Sequence, residues 1–375
     1  MATVALLAFG TSGVAAFDYR IRSNINYVSI KGLVGDPPPV DPAAGSSLNI
    51  LLLGSDDRSG ENGVIGGADA GMRSDTAIVM HISSDRSRIE MVSIPRDSLV
   101  TIPECKTTNG KTLPAKQNAM FNSAFARGWD AGGDMSSAAA CAVSTVQTDT
   151  GLRIDHFVVV DFAGFQQMVD ALHGVDICLD RPMKDLRYTG MDLPAGQQRL
   201  DGVQALQYAR ARHVTGTDGS DTSRIGRQQQ LLGAVAHEVL SKDLTNSLDL
   251  TRFVGAVTSS LSMDPGLSTQ KIAGIAYSLR SIDTSKIVFV TIPSGPDSKD
   301  PNRVRWTSQA ADVWGAMAKD KPIVDVLSPP VTNQPTGSPT DSGPTGSSTP
   351  TPDPTPSGVT TVDQVQQDAS QVCGA

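Results

Sequence analysis

From Leu48 onward the chain alternates short apolar runs with amphipathic stretches, and the spacing of apolar positions sets the expected elements. "LNILLL", residues 48–53, is a continuous apolar run closed by Gly54, the pattern of a strand buried on both faces. "TAIVMHIS" (76–83) and "RIEMVSI" (88–94) follow as strands around the turn-forming "SDRS". Residues 118–127 and 135–149 read as helices, and "IDHFVVVDF" returns to strand. In "AGFQQMVDALHG", Phe165, Met168, Val169 and Leu172 recur at helical spacing, and Gly174 closes the run. "VDICLD" is a further short strand. Helices are expected over 201–212 and 221–240, joined by "HVTGTDG". "STQKIAGIAYSLRSI" (helix), "KIVFVTI" (strand) and "TSQAADVWGAMAKD" (helix) complete the pattern. Strands and helices mix without regular βαβ alternation. The expected fold class is therefore α/β, a single αβα sandwich with a mixed central sheet and helices on both faces.

Both ends depart from this pattern. Residues 2–17 carry no charge, but 16 helical residues reach only about 24 Å, short of a ~30 Å hydrocarbon core. No basic residue precedes them, as it would in a signal peptide. The expectation is a transmembrane helix or signal anchor only partly contained in residues 1–17, ahead of a cleaved signal peptide and of a buried helix. At the other end, "SPPVTNQPTGSPTDSGPTGSSTPTPDPTPSG" (328–358) has almost nothing apolar to bury and reads as disordered or polyproline-like. The expected organisation is anchor 1–17, juxtamembrane linker 18–47, folded domain 48–327, and tail 328–375 ending in a Cys-containing segment.

Charge narrows the function classes. A net charge of −8 without a basic tail or stripe argues against nucleic acid as the main partner. Arg outnumbers Lys, 20 to 11, which suits two-point contacts to phosphate or carboxylate and equally fits a compositional bias of the genome. The four cysteines form no C-x-x-C pair and have no His at ligand spacing, which disfavours a zinc site. A Cys105–Cys141 bridge would close a 37-residue loop, worth about 4 kcal/mol in the chain-entropy model. Cys178 with Cys373 is a second candidate pair, and four idle thiols the alternative.

Four charged clusters lie at strand ends or within a helix, where a rigid scaffold can aim side chains. They are "GSDDR" (54–58), "RSDT" (73–76), "SIPRD" (93–97) and "YARARHVTGTDGSDTSRIGRQQQ" (208–230). They supply Asp56, Asp57, Asp75, Asp97 and Asp221, together with Arg58, Arg73, Arg96, Arg210, Arg212, Arg224 and Arg227. Arg224 and Gln228, four apart, share a helix face. Asp221 serves equally well as a plain N-cap. The ordinary reading of such clusters is surface ion pairs, each contributing about 0–1 kcal/mol. Three of them, however, occupy the ends of apolar strands. Charges there either face a common cleft or incur a desolvation cost that pairing rarely recovers. Arginines with a few acids in one cleft suit a pyrophosphate, with Mg²⁺ between phosphate and carboxylate. Competing chemistries lack their motifs: there is no G-x-x-x-x-G-K-[ST] and no G-x-S-x-G. "STQK" (268–271) matches S-x-x-K without the partner motifs, and His156 and His213 read as structural or rim residues.

In this order the clusters resemble the LytR-CpsA-Psr family of bacterial cell-envelope phosphotransferases. The family pattern is G-x-D-x-R, R-S-D-T, S-I-P-R-D, K-x-N-A and R-x-R…D-x-x-R-x-x-R-Q, and each piece is present here. The resemblance runs from about Leu48 to about Leu240, and more faintly to Leu327. It implies a single-pass cell-membrane protein with an extracellular catalytic domain. The implied activity is transfer of a glycopolymer from a polyprenyl-pyrophosphate carrier onto peptidoglycan, with Mg²⁺ (or Mn²⁺). Carried over by position, Asp56 and Asp75 would hold the metal. Arg73, Arg96, Arg210, Arg212, Arg224 and Gln228 would bind the pyrophosphate. Arg73, Asp75 and Asp221 would form the catalytic set, Asp221 as base or orienter of the acceptor hydroxyl. The sheet and helices would enclose an apolar tunnel for the lipid. The implied partners are the lipid-linked glycan donor, the peptidoglycan acceptor and the membrane, with no nucleic acid.

His173 stands where the family usually has Gly, Gln117 and Met120 replace smaller or apolar residues, and Asp57 beside Asp56 leaves the metal ligand open between them. The insert "GENGVIGGADAG" reads as a flap or a tolerated loop. Two other functions would use the same residues: a polyprenyl-pyrophosphate pyrophosphatase with water as acceptor, and a non-enzymatic glycan- or anion-binding module of the envelope.

Overall fold

The computed structural model describes residues 25–42, 45–56, 72–215, 221–241, 261–327, 359–362, 364 and 373. Its centre is an eight-stranded sheet made of β1 (Asn26–Tyr27), β2 (Leu48–Ser55), β3 (Ser74–Ile82), β4 (Ile89–Ser93), β5 (His156–Val160), β6 (Leu261–Met263), β7 (Ile287–Thr291) and β8 (Val359–Thr361). The spatial order is β1-β6-β5-β2-β3-β4-β7-β8. β1/β6, β5/β2 and β4/β7 are parallel, and the other neighbours are antiparallel, so the sheet is mixed as expected. The main helices are α1 (Asn122–Gly132), α2 (Met135–Thr150), α3 (Phe162–Ala171), α4 (Gly202–Arg210), α5 (Asp221–Ser241), α6 (Thr269–Ser278) and α7 (Ser308–Ala318).

Successive strand side chains point to opposite faces, and the strands are apolar at both parities, so each face buries a core. Leu51, Leu53, Val79, Val92, Phe157 and Val159 join one core with Phe125 of α1, Val143 of α2 and Trp314 of α7. Ile50, Ile82, Ile89, Val158 and Phe289 join the other, against Leu232 of α5 and Ile272 of α6. A third core lies among α3, α4 and α5, where Val169, Ala205, Tyr208 and Leu231 meet the hairpin strands Val175–Leu179 and Gly196–Leu200. The αβα sandwich is therefore present, with a further core among α3, α4 and α5.

Helices α1 and α2 pack backbone against backbone. A Cβ on Gly128 would stand 2.2 Å from the Ser137 carbonyl oxygen, so only glycine allows this approach. Asp134 caps α2, accepting a hydrogen bond from the Ser137 N–H at 2.9 Å.

Three expectations change. Residues 118–127 are not one helix: Lys116–Met120 pairs antiparallel with the strand Leu99–Ile102, and α1 starts only at Asn122. Asn118 has φ 52°, a left-handed conformation in which Asn is favoured, and Arg305 Nη2 donates to its Oδ1 at 2.9 Å. Next, residues 18–47 are not all linker: Asn26–Tyr27 is the edge strand β1 of the central sheet, and Ile25 and Val28 are buried in its cores. His173, at the glycine position of the family, takes a positive φ (58°), and Gly174 follows at 91°. Finally, the folded part does not stop at Leu327. β8 pairs with β7 along Val288–Val290, Val362 is fully buried, and Cys373 is bonded to Cys178. The added strand covers what would be an open sheet edge. Cys105 and Cys141 form the other disulfide. Residues 1–17 and 328–358 lie outside the described residues. Among the described residues no helix is long and apolar enough to cross a membrane.

Candidate functional site

The antiparallel β2/β3 pair brings the end of β2 beside the start of β3, with Gly54 opposite Thr76. Asp56 and Asp75 are thus delivered to the same end of the sheet, where the Asp56 N–H donates to the Arg73 carbonyl at 2.8 Å. The segment after β4 supplies Arg96, and the end of β5 leads through Val160 and Asp161 into α3. α4, α5 and the turn after α4 close the space above.

The result is a cavity of about 340 Å³ lined by two kinds of residue, within the size range of ligand pockets. Asp56, Asp75, Arg96, Arg210, Arg212, Arg224 and Gln228 provide its charged and polar lining. Leu52, Ile78, Phe165, Met168, Leu206, Leu231 and Leu232 provide an apolar one.

The arginines are held before any anion arrives. Arg96 Nη1 pairs with Asp75 Oδ1 at 2.9 Å, and Arg224 Nη2 donates to the Asp75 carbonyl at 3.1 Å. Burial pushes the Asp75 carboxyl up, but Arg96, Arg224 and Arg212 outweigh it and hold the group below its ordinary value. The Arg210 guanidinium carbon lies 4.2 Å from the centre of the Phe162 ring. Arg227, buried in α5, donates to the Ala211 carbonyl, and Gln228 Nε2 to the Ala209 carbonyl at 3.3 Å. These bonds stitch α5 to the end of α4, which carries Arg210, and to the turn after it, which carries Arg212. From the other side, Asp185 Oδ2 accepts the Arg212 and His213 N–H groups at 3.1 and 3.3 Å.

Of the residues singled out in the sequence, Asp56, Asp75, Arg96, Arg210, Arg212, Arg224 and Gln228 are brought together around one cavity. Arg73 is not among them: its main chain is tied to Asp56, but its side chain is exposed and does not line the cavity. Asp221 is the first residue of α5, and its side chain lies outside the described residues, as do Asp57, Arg58 and the insert of residues 60–71. Asp97 turns to Arg303 Nη1, at 3.3 Å, and Arg227 is a structural brace. Asp185, Tyr188 and Phe162 line the cavity without having been singled out. Asp185 and Tyr188 sit in a hairpin, "MKDLRYTG", that has no sequence feature marking a site.

Among the described residues, no group of three or more His, Cys, Asp or Glu could hold a metal by itself. Asp56 and Asp75 offer oxygen donors only. Mg²⁺ bound through one or two carboxylates, completed by substrate phosphate oxygens and water, fits such a pair.

The family model for LytR_cpsA_psr matches residues 21–319. The chain belongs to the LytR_cpsA_psr family. This family member is 31% identical over 269 residues to the cell wall biosynthesis protein LcpA of Corynebacterium glutamicum, covering 67% of this chain and 51% of LcpA. It is 29% identical over 251 residues to the polyisoprenyl-teichoic acid–peptidoglycan teichoic acid transferase TagU of Oceanobacillus iheyensis, covering 63% and 70%. The chain spans about half the length of the corynebacterial relatives it matches. Its fold matches that of a LytR-Csp2A-Psr enzyme from Actinomyces oris, with a TM-score of 0.56 at 21% identity, covering 78% of this chain and 96% of the other.

Proposed function

We propose that this LytR_cpsA_psr protein is a cell-envelope phosphotransferase that moves a glycopolymer from a polyprenyl-pyrophosphate carrier onto peptidoglycan. The observation that carries the proposal is the mixed lining of one cavity: four arginines and Gln228 for a pyrophosphate, together with apolar side chains for a lipid chain. The names of its relatives, a cell wall biosynthesis protein and a teichoic acid transferase, agree in class. The donor and acceptor would meet outside the membrane, to which the carrier lipid belongs.

In the proposed reaction, Arg96, Arg210, Arg212 and Arg224 hold the pyrophosphate, each charge-assisted hydrogen bond contributing about 1.5–3 kcal/mol. The apolar side chains of the lining hold the start of the prenyl chain. A sugar hydroxyl of peptidoglycan attacks the phosphorus that carries the glycan. A P–O bond forms, the bond to the bridging oxygen breaks, and polyprenyl phosphate leaves with the electron pair. Asp221, at the start of α5, is the candidate base for the hydroxyl proton. The arginines stabilise charge on the transferring group and on the departing phosphate. Asp56 and Asp75 would hold Mg²⁺ or Mn²⁺, which would supply charge neutralisation at the phosphates. Arg73 would act from the rim.

The test gives the full chain a lipid-pyrophosphate-linked glycan, Mg²⁺ and peptidoglycan fragments, and reads the products by mass spectrometry. A glycan joined to the fragment through a phosphodiester is expected, and Asp75→Asn should abolish it. Glycan phosphate released with the fragment untouched would replace the transferase with a hydrolase. Tight lipid binding without product would leave a binding module.

A further inference from the structure

The hairpin that carries Asp185 and Tyr188 has a role the phosphotransferase reading does not use. Its strands, Met183–Asp185 and Met191–Leu193, pair antiparallel, and its turn presents Leu186, Arg187 and Tyr188. Tyr188 lines the cavity together with Arg210, Arg212 and His213, yet 58% of its surface remains accessible. Its ring centre lies 4.1 Å from that of His213, with the planes tilted by 33°. The Arg187 guanidinium carbon is 5.5 Å from the Tyr188 ring centre.

This aromatic pair is built to hold its position. The Thr189 and Gly190 N–H groups donate to the Asp185 carbonyl at 3.1 and 3.0 Å, which fixes the turn. The Asp185 carboxylate, on a residue only 3% exposed, fixes the other side by accepting the Arg212 and His213 N–H groups through Oδ2. One residue therefore sets Tyr188 relative to both His213 and a pyrophosphate-site arginine. The other carboxylate oxygen, Oδ1, is buried and accepts no hydrogen bond from the described residues. A buried carboxylate oxygen without a donor is an uncommon arrangement that a hydroxyl group would relieve.

We propose that Tyr188 and His213 form a sugar-stacking platform at the polar mouth of the cavity, positioned by Asp185 and taking a pyranose ring next to the pyrophosphate. The proposal rests on the phosphotransferase reading and extends it to the carbohydrate. A pyranose has an apolar C–H face and a rim of hydroxyls. It matches an accessible aromatic ring beside polar groups better than a second anion or a further stretch of lipid would. In the donor a sugar is bonded directly to the pyrophosphate, so a diphosphate held by Arg210 and Arg212 brings that sugar into the cavity that Tyr188 also lines. The acceptor brings sugars to the same mouth. The ring chemistry is common to both sources.

The test uses the full chain and calorimetric titration with two probes: a short-chain polyprenyl diphosphate, and the same lipid diphosphate bearing one N-acetylhexosamine. The wild type should bind the sugar-bearing lipid about fivefold more tightly or better, the scale of one aromatic stacking contact. Tyr188→Ala should remove that difference while the bare lipid diphosphate still binds, and Tyr188→Phe, which keeps the ring, should retain it. If the difference survives Tyr188→Ala but KM for a peptidoglycan fragment rises at constant kcat, the ring serves the acceptor's sugar and the platform stands. Equal weakening of both lipids by Tyr188→Ala would mark a structural residue and overturn the proposal. So would no change in donor preference or in KM. Failure of the wild type to bind the bare lipid diphosphate is a separate result: it would sink the phosphotransferase reading and the platform with it.

Discussion

Asp149→Asn should make the protein more stable at neutral pH. Asp149 lies in the last turn of α2, where Oδ1 accepts the Thr101 N–H at 3.1 Å and Oδ2 is buried without a partner among the described residues. Burial pushes its carboxyl up to about 6 from the ordinary 3.8, and the Thr101 hydrogen bond only partly opposes this. At about 1.4 kcal/mol per tenfold, holding the carboxylate ionised in the fold would cost about 3 kcal/mol. The residue is only partly buried, so solvent screening reduces this to about 1–2 kcal/mol. The sign follows from linkage. The folded state holds this proton more tightly than the unfolded chain does, so the contribution is fully present below about 3.8 and is lost as pH rises through about 6. Asparagine keeps the acceptor for Thr101 and never ionises. Urea unfolding followed by tryptophan fluorescence, on wild type and variant from pH 4 to 8, reads the difference and cancels the other titrating groups. The variant should gain about 1–2 kcal/mol at pH 8, and the gain should fade toward pH 4. A variant no more stable at pH 8, or a gap that does not change with pH, would refute the reasoning.

Arg96→Ala removes the guanidinium that does most to hold Asp75 ionised against burial. Transfer should fall about a hundredfold, and the acid limb of the pH–rate profile should move to higher pH. Gly128→Ala places a methyl group 2.2 Å from the Ser137 carbonyl oxygen, so α1 and α2 must separate. A loss of about 2–3 kcal/mol in denaturant unfolding is expected. Cys178→Ser releases Cys373 and the chain end that carries β8. Unfolding free energy should drop by about 2–5 kcal/mol, with peptide mapping still showing the Cys105–Cys141 bridge.

Much of the fold and of the site was legible in the sequence, for a local reason. Runs such as "LNILLL" and "KIVFVTI" are short and apolar at both parities, as a strand covered on two faces requires, and β2 and β7 are such strands. Charged clusters directly flanking apolar runs had to emerge at strand ends, Asp56 and Arg96 after a strand and Asp75 at the start of one, and all three reach one cavity. The helical spacing of Arg224 and Gln228 put both on its wall. Tertiary structure decided what long-range pairing controls. Residues 116–120 became strand because Leu99–Ile102 offered hydrogen-bond partners, against a helical reading of the local pattern. Val359–Thr361, too short for any periodicity, became a strand because β7 had an edge to cover. Arg73, two residues before Asp75, would share its side in a continuous strand, but β3 begins only at Ser74, so the pleat does not aim the exposed Arg73 side chain into the cavity. Asp185 lies in an unremarkable polar hairpin, and only the packing of that hairpin against the turn after α4 brings its carboxylate to Arg212 and His213. Local pattern determines which segments become strands and what each can carry to its end. Which of those ends face one another is a property of contacts between residues far apart in the chain.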